Sequence, residues 1–202
     1  MGINYLTEEL KNYINNDLSL EIIELIKKYS GVIAGGYLRD HILDLNPRDL
    51  DLFFININDW NNFNDEVLLL KGVKKVEFLS KKVLDSKPKL NVKKFSYNGI
   101  EMDSIYYLHV QKEEHITETF DFTCNMIMYD PLEEKLTGSL SYDLNIVLNH
   151  ILERSLIVGD NLWFKATRTR ALTRYDKFVN EKGFTMDDEN KLKYKYYIEN
   201  LM

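Results

Sequence analysis

A single cysteine, Cys124, stands in 202 residues, so no internal disulfide can form. That usage fits a reducing compartment. No apolar run approaches the roughly 20 residues that a membrane-spanning helix needs. The opening MGINYLTEELKNY is polar and acidic, without the basic flank and apolar block of a secretory leader. Gly2 follows Met1, but Tyr5-Leu6 occupies the place where N-myristoylation wants a small hydroxyl residue. A cytoplasmic chain without membrane contact is expected. Positive charge is also scarce: 26 Lys and Arg stand against 32 Asp and Glu, a formal net charge of −6. Affinity for long nucleic acids comes from lysines and arginines that displace counterions, so a basic coat for such a partner is excluded and any contact must be local. The basic residues gather from Lys71 to Lys94 and from Lys165 to Lys177, the latter with Arg168, Arg170 and Arg174. There is no internal repeat, low-complexity tract or Pro/Gly/Ser linker.

What is present reads as a globular chain, with 45% apolar residues. Ile22, Ile23, Leu25 and Ile26 give Leu20 to Tyr29 the period of an amphipathic helix, which Ser30-Gly31 ends. Gly31 to Ala34 reads as a strand, Tyr37 to Leu45 as a helix stopped by Asn46-Pro47, and Leu50 to Ile57 as a strand of strong β character. A helix is expected over Trp60 to Leu70, and strands near Lys75 to Leu79, Val92 to Tyr97 and Ile100 to Leu108. From about Tyr142 the pattern is helical: Leu144 to Leu152, Leu162 to Glu181 and Asp187 to Leu201. With strands first and helices last, the fold class is α+β, with a small mixed sheet and a helical C-terminal part.

One stretch breaks its own pattern. In GGYLRDHILDLNPRDLDLFF, Gly35 to Phe54, two acids interrupt an apolar strand. Alternate residues of a strand share a face, so Asp49 and Asp51 project the same way. Like charges that close repel unless a cation sits between them. Either Asp49 ends the turn after Pro47-Arg48 and Asp51 pairs with that arginine, or the two carboxylates share a metal. Two further features weigh on the choice. Gly35-Gly36 forms a strand-to-helix turn whose backbone can approach a ligand closely, and the helix it opens favours an anion such as a triphosphate. Ile-Glu-Met-Asp-Ser, at the start of the strand Ile100 to Leu108, again sets two acids, Glu101 and Asp103, on one face. A neighbouring strand could bring one of them to Asp49 and Asp51. Three carboxylates suit two hard divalent ions, which take oxygen ligands, activate an attacking hydroxyl and steady a leaving pyrophosphate.

These residues carry a resemblance. Gly35-Gly36-Tyr37-Leu38-Arg39-Asp40 with Asp49-Leu50-Asp51 resembles the Gly-Gly-x-(Val/Leu)-Arg-Asp … Asp-x-Asp signature of the head domain of tRNA CCA-adding enzymes and bacterial-type poly(A) polymerases. That family lies within the DNA polymerase β-like nucleotidyltransferase superfamily. Asp121-Phe122-Thr123-Cys124-Asn125, running on to Tyr129-Asp130-Pro131, is similar to its Arg-Asp-Phe-Thr-Ile-Asn … Tyr-Asp-Pro. Gly138 ahead of Asp143-Leu144 resembles its Gly-x-x-Asp-Leu turn. Arg170-Ala171-Leu172, Arg174-Tyr175 and Gly183-Phe184-Thr185 resemble its neck helices. The four motifs keep the family's order from about Gly31 to Thr185.

The resemblance implies a nucleotidyltransferase head over residues 1–140 and a helical neck-like region over 141–202. It implies Asp49, Asp51 and Glu101 as catalytic carboxylates holding Mg2+ or Mn2+, with Asp103 as a substitute for Glu101. Gly35, Gly36 and Arg39 would hold the triphosphate, Asp121 and Asn125 would lie beside the nucleotide and its ribose, and Arg170 and Arg174 would reach it from the neck. The implied reaction moves a nucleoside monophosphate, AMP from ATP in the first instance, onto a hydroxyl of RNA or a small molecule. The departures are also specific. Phe120 stands where the family has Arg before Asp-Phe-Thr, and Trp163-Phe164 and Thr167 replace the Glu-Asp-x-x-Arg that reads base edges, so the CCA order is not expected. The body and tail domains that grip tRNA are expected to be lacking. The alternative is a homologue that binds nucleotide or a partner protein without chemistry.

Overall fold

Leu6, Leu10 and Ile14 recur every fourth residue, and they are the buried stripe of helix α1 (Ile3–Asp17). From sequence this segment reads as a polar terminus, because its apolar residues are few and widely spaced; their helical period is what docks it. Burying three such side chains contributes on the order of 1.5–3 kcal/mol each. The computed structural model describes residues 2–79, 90–159 and 168–200. After α1 come α2 (Leu20–Lys28), capped by Ser19, the short strand β1 (Val32–Ala34) and α3 (Gly36–Ile42). Strand β2 (Asp49–Phe54) stops short of the expected Ile57, because the Asn56 side chain accepts a hydrogen bond from the Asn58 amide at 2.8 Å and starts α4 (Ile57–Val67) there. Strands β3 (Lys74–Leu79), β4 (Leu90–Tyr97) and β5 (Ile100–Tyr107) fall where the pattern puts them. Two three-residue strands, β6 (Met128–Asp130) and β7 (Lys135–Thr137), are too short to carry a period-2 signal and escape the sequence reading.

The C-terminal part consists of α5 (Leu144–Leu152), α6 (Arg168–Asp176) continued by a single π turn (Lys177–Glu181), and α7 (Asp188–Glu199). Asp143 caps α5 and Asp187 caps α7. Residues 162–167 of the expected neck helix, with Trp163, Phe164 and Thr167, lie outside the described residues. Helices precede and interleave with the strands at the expected Leu20–Tyr29, Tyr37–Leu45 and Trp60–Leu70 segments, and the class is α+β with a helical C-terminal part. Among the described residues no helix is long and apolar enough to cross a membrane.

Seven strands form one mixed sheet in the order β3-β4-β5-β2-β1-β6-β7. Its neighbours are antiparallel except β2 and β5, which run parallel. Alternation then sorts the two faces. Leu50, Leu52, Phe54, Phe95, Met102 and Tyr106 enter the main core with Ile22, Ile26, Trp60 and Phe63 of the helices. That core is continuous from Leu6 of α1 to Ile198 of α7. The opposite face carries a smaller apolar cluster, Val32, Ala34, Phe53, Ile105 and Met128 with Val110 and Ile116. The residues that precede Phe53 and Ile105 on this second face are the acids.

Candidate active site

The parallel register places Asp49 across from Glu101 and Asp51 across from Asp103. All four carboxylates therefore stand on the face of the smaller cluster, in two adjacent rows at strand spacing. Arg48 is exposed, and the cations whose charge reaches Asp51 are Arg174 and Lys94. Burial, then the charges of Asp49 and Asp103, push the Asp51 pKa up to about 7. Asp103 is also raised, by burial first, against the pull of Lys94. Glu101 is exposed. Lys94, which sequence reading did not single out, donates to both Asp103 oxygens at 2.6 and 2.7 Å. Its signal was present: Asn98-Gly99 makes a two-residue turn with φ of 49° and 88°, and a hairpin closed by Tyr97 and Ile100 necessarily sets Lys94 opposite Asp103.

Beside the acids stands the glycine turn. Gly35 has φ of 88°, and a Cβ there would lie 3.0 Å from the Phe120 ring and 3.9 Å from Asp51 Oδ2. Only glycine fits both the conformation and the space. The turn thus abuts Asp51, as expected, but its Gly35 N–H already donates to the Ile127 carbonyl at 3.0 Å. Phe120, where the resemblance implies Arg, packs its ring on this turn and edge-on against Phe53, with centroids 5.9 Å apart. The turn thus has an apolar wall on this side.

Arg39, expected beside the triphosphate, lies against the glycine turn: a Cβ at Gly36 would stand 3.3 Å from its Nη2. Its side chain is buried, donates to Asp40 Oδ1 at 2.8 and 2.6 Å and to Asn125 Oδ1, and packs its guanidinium 4.7 Å from the Phe178 ring centroid. Lys182 closes the network on Asp40 Oδ2 at 2.6 Å. Arg39 and Asn125 are thus engaged with each other, and Arg39 braces α3 against the π turn. The sequence could not announce Lys182, because its partner lies 142 residues away. Asp121 is buried too, and Arg174 of α6 donates to its Oδ2 at 2.8 Å. Its Oδ1 has no hydrogen-bond partner among the described residues. Arg174 therefore joins the site, its charge felt at Asp51, whereas Arg170 falls on α6 with a side chain outside the described set.

Whether these residues fit a divalent ion depends on the donor set. Asp49 and Asp51 offer hard oxygen ligands on one face, and burial together with the charges of Asp49 and Asp103 raises the Asp51 pKa, a cost that a cation would relieve. Among the described residues no three His, Cys, Asp or Glu side chains are gathered closely enough to enclose an ion. The arrangement fits an ion held by the Asp49–Asp51 pair and open on its other side. A cavity of about 570 Å3 is a different place: Lys112, Glu113, Asp130, Lys135 and Leu140 line it, and none of the four carboxylates does.

Solved structures share this architecture. The apo form of a CCA-adding enzyme matches at 17% identity and a TM-score of 0.65, over 95% of this chain and 45% of that one. A CCA-adding enzyme in complex with ATP matches at 18% identity and a TM-score of 0.64, over 95% and 46%. The Thermotoga maritima CCA-adding enzyme complexed with tRNA matches at 17% and 0.62, over 98% and 45%. At these identities the likeness is one of fold: the chain has the nucleotidyltransferase fold and spans under half the length of the enzymes it matches. No curated protein matches it in sequence. A family model does, from residue 4 to residue 154, taking in α1, the whole sheet and the acid face. With that span, the chain belongs to the Gabija anti-defense 2 family.

Proposed function

We propose that the chain is a metal-dependent nucleotidyltransferase that moves a nucleoside monophosphate, AMP from ATP in the first instance, onto a hydroxyl acceptor. The observation that carries this reading is the Asp49–Asp51 pair, set on one strand face against the Gly35 turn, with Glu101 and Asp103 in the adjacent row. Asp49 and Asp51, with Glu101 as the third oxygen donor, would hold Mg2+ or Mn2+, which when bound activates the attacking hydroxyl and steadies the leaving pyrophosphate. Asp103 is the weaker candidate because Lys94 already engages both of its oxygens.

The rest is supplied by the protein itself. Asp121 Oδ1, buried and without a hydrogen-bond partner among the described residues, is the acceptor this reading gives a ribose hydroxyl, and Arg174, held in place by the other oxygen, brings positive charge toward the phosphates. Phe120 screens the turn side of the site from water. Residues 1–140 act as the head in this reading, and 141–202 as a neck that contributes Arg174. Base selection needs paired donors and acceptors against a base edge. Phe164 and Thr167 offer none, so ATP should be used without the strict CTP-then-ATP order. The acidic chain favours a small or pre-docked acceptor over free long RNA, and the family's name makes a component of Gabija one such acceptor or partner.

The test is incubation with each labelled NTP, Mg2+ or Mn2+, a total-RNA pool and purified Gabija proteins, reading which species takes up label. Label on RNA, protein or a small product supports transfer and names the acceptor. Nucleotide binding without any transfer would favour the second reading, a non-catalytic homologue. Phe120, an apolar ring on the glycine turn where the resemblance implies Arg, lends that reading its support.

A further inference from the structure

One row of charged side chains runs straight across three strands on the acid face. Pairing of β4 with β5 sets Lys94 across from Asp103, and pairing of β5 with β2 sets Asp103 across from Asp51. The Lys94 ammonium reaches both Asp103 oxygens, at 2.6 and 2.7 Å. The two side chains are only 26% and 16% exposed, so this is not a loosely solvated surface pair. The pairing uses the lone pairs through which Asp103 would otherwise bind a metal. It also sets a fixed positive charge in a cluster of four carboxylates, and that charge is felt as far as Asp51. Without it, Asp103 would be a third acid beside Asp49 and Asp51, with oxygens free for a second ion.

We propose that Lys94 is a built-in cation that stands in for a second metal ion. The chain then binds one divalent ion, on the side of Asp49 and Asp51, while Asp103 is held out of metal coordination. Lys94 is in this sense a positioning residue. The inference rests on the reading of Asp49 and Asp51 as metal carboxylates.

Titration of the full chain with Mn2+ alone, with free Mn2+ counted by electron paramagnetic resonance, tests it without reference to turnover. Wild type should bind one ion. Lys94→Met should bind two, as should Lys94→Gln, which keeps a hydrogen bond to Asp103 and so guards against loss of fold. Lys94→Met combined with Asp103→Asn should return to one ion, and Asp49→Asn with Asp51→Asn should remove the wild-type ion. Two ions in wild type, or one ion in both Lys94 variants with unchanged circular dichroism, overturns the proposal. Equal Mn2+ binding by wild type and the Asp49/Asp51 double variant overturns the metal reading itself, a distinct result.

Discussion

At the scale of single residues, the acid face stores repulsion that a folding chain has no reason to accept. Asp51 carries the largest share, since both Asp49 and Asp103 raise its pKa on top of burial. Asp49→Ala or Asp51→Ala should therefore abolish nucleotide transfer while leaving the fold intact, because truncation relieves like-charge contact. Unchanged turnover in both variants would exclude them from catalysis. The same shift dictates a pH dependence. The Asp51 pKa is 3.8 in the unfolded chain and about 7 in the fold, so between those values the native state holds a proton that the unfolded state has released. This group's contribution to stability accordingly falls as pH rises from about 4 to about 7 and levels off above. Asp51→Asn removes the penalty: it should melt above wild type at pH 8 without divalent ions, with the difference closing toward pH 4. A difference that grew on acidification would reverse the sign. Glu101 and Asp103 differ in what already occupies them. Glu101→Gln should cost more activity than Asp103→Asn, and the opposite order in steady-state rates would make Asp103 the third ligand.

Elements show what could be read in advance. Pleat alternation and the Asp-x-Asp spacing made the shared face of Asp49 and Asp51 legible, and the Asn98-Gly99 turn would have yielded Lys94 opposite Asp103 had the hairpin been paired residue by residue. The parallel pairing of β2 with β5 was not legible, because nothing local tells a strand which distant neighbour it will take. Arg39 shows what a motif leaves out: its guanidinium lies against Gly36, but it is held there by Asp40, Asn125 and Phe178, partners that only the tertiary fold assembles. That buried network couples α3 to the π turn and yields an ordered prediction. Lys182→Met leaves Asp40 Oδ2 unpaired but keeps Arg39 on Oδ1, so it should cost about 1–3 kcal/mol. Asp40→Ala removes the carboxylate from the buried Arg39 and the partly buried Lys182 at once and should cost more, about 3–5 kcal/mol. Urea unfolding of both variants measures the order, and equal costs would show that the two cations do not share Asp40 in solution.

For the molecule as a whole, the question is whether head and neck are separate units. Lys182 on Asp40 and Arg174 on Asp121 tie the C-terminal helices to the sheet side by charge. Phe122 packs against both Phe178 and Tyr194, with centroids 5.2 and 5.1 Å apart, and ties them by apolar contact. One apolar core passes from α1 to α7 without a break. A chain so connected should unfold in one cooperative step, although its sequence divides at about residue 140 by motif. Leu10, 1% exposed in α1, lies far from the neck in sequence but belongs to the same core. Leu10→Ala should cost about 2–5 kcal/mol, which for a domain of this size lowers the melting temperature by roughly 5–15 °C. If the core acts as one, calorimetry should show a single transition for wild type, and for Leu10→Ala that whole transition should shift. The two buried tyrosines of α7, Tyr194 and Tyr197, should report the same midpoint as residues 1–140. Two transitions, or an α7 signal that stays in place while the head melts early, would show that residues 1–140 and 141–202 fold apart and that Arg174 reaches the acid face only when the halves dock.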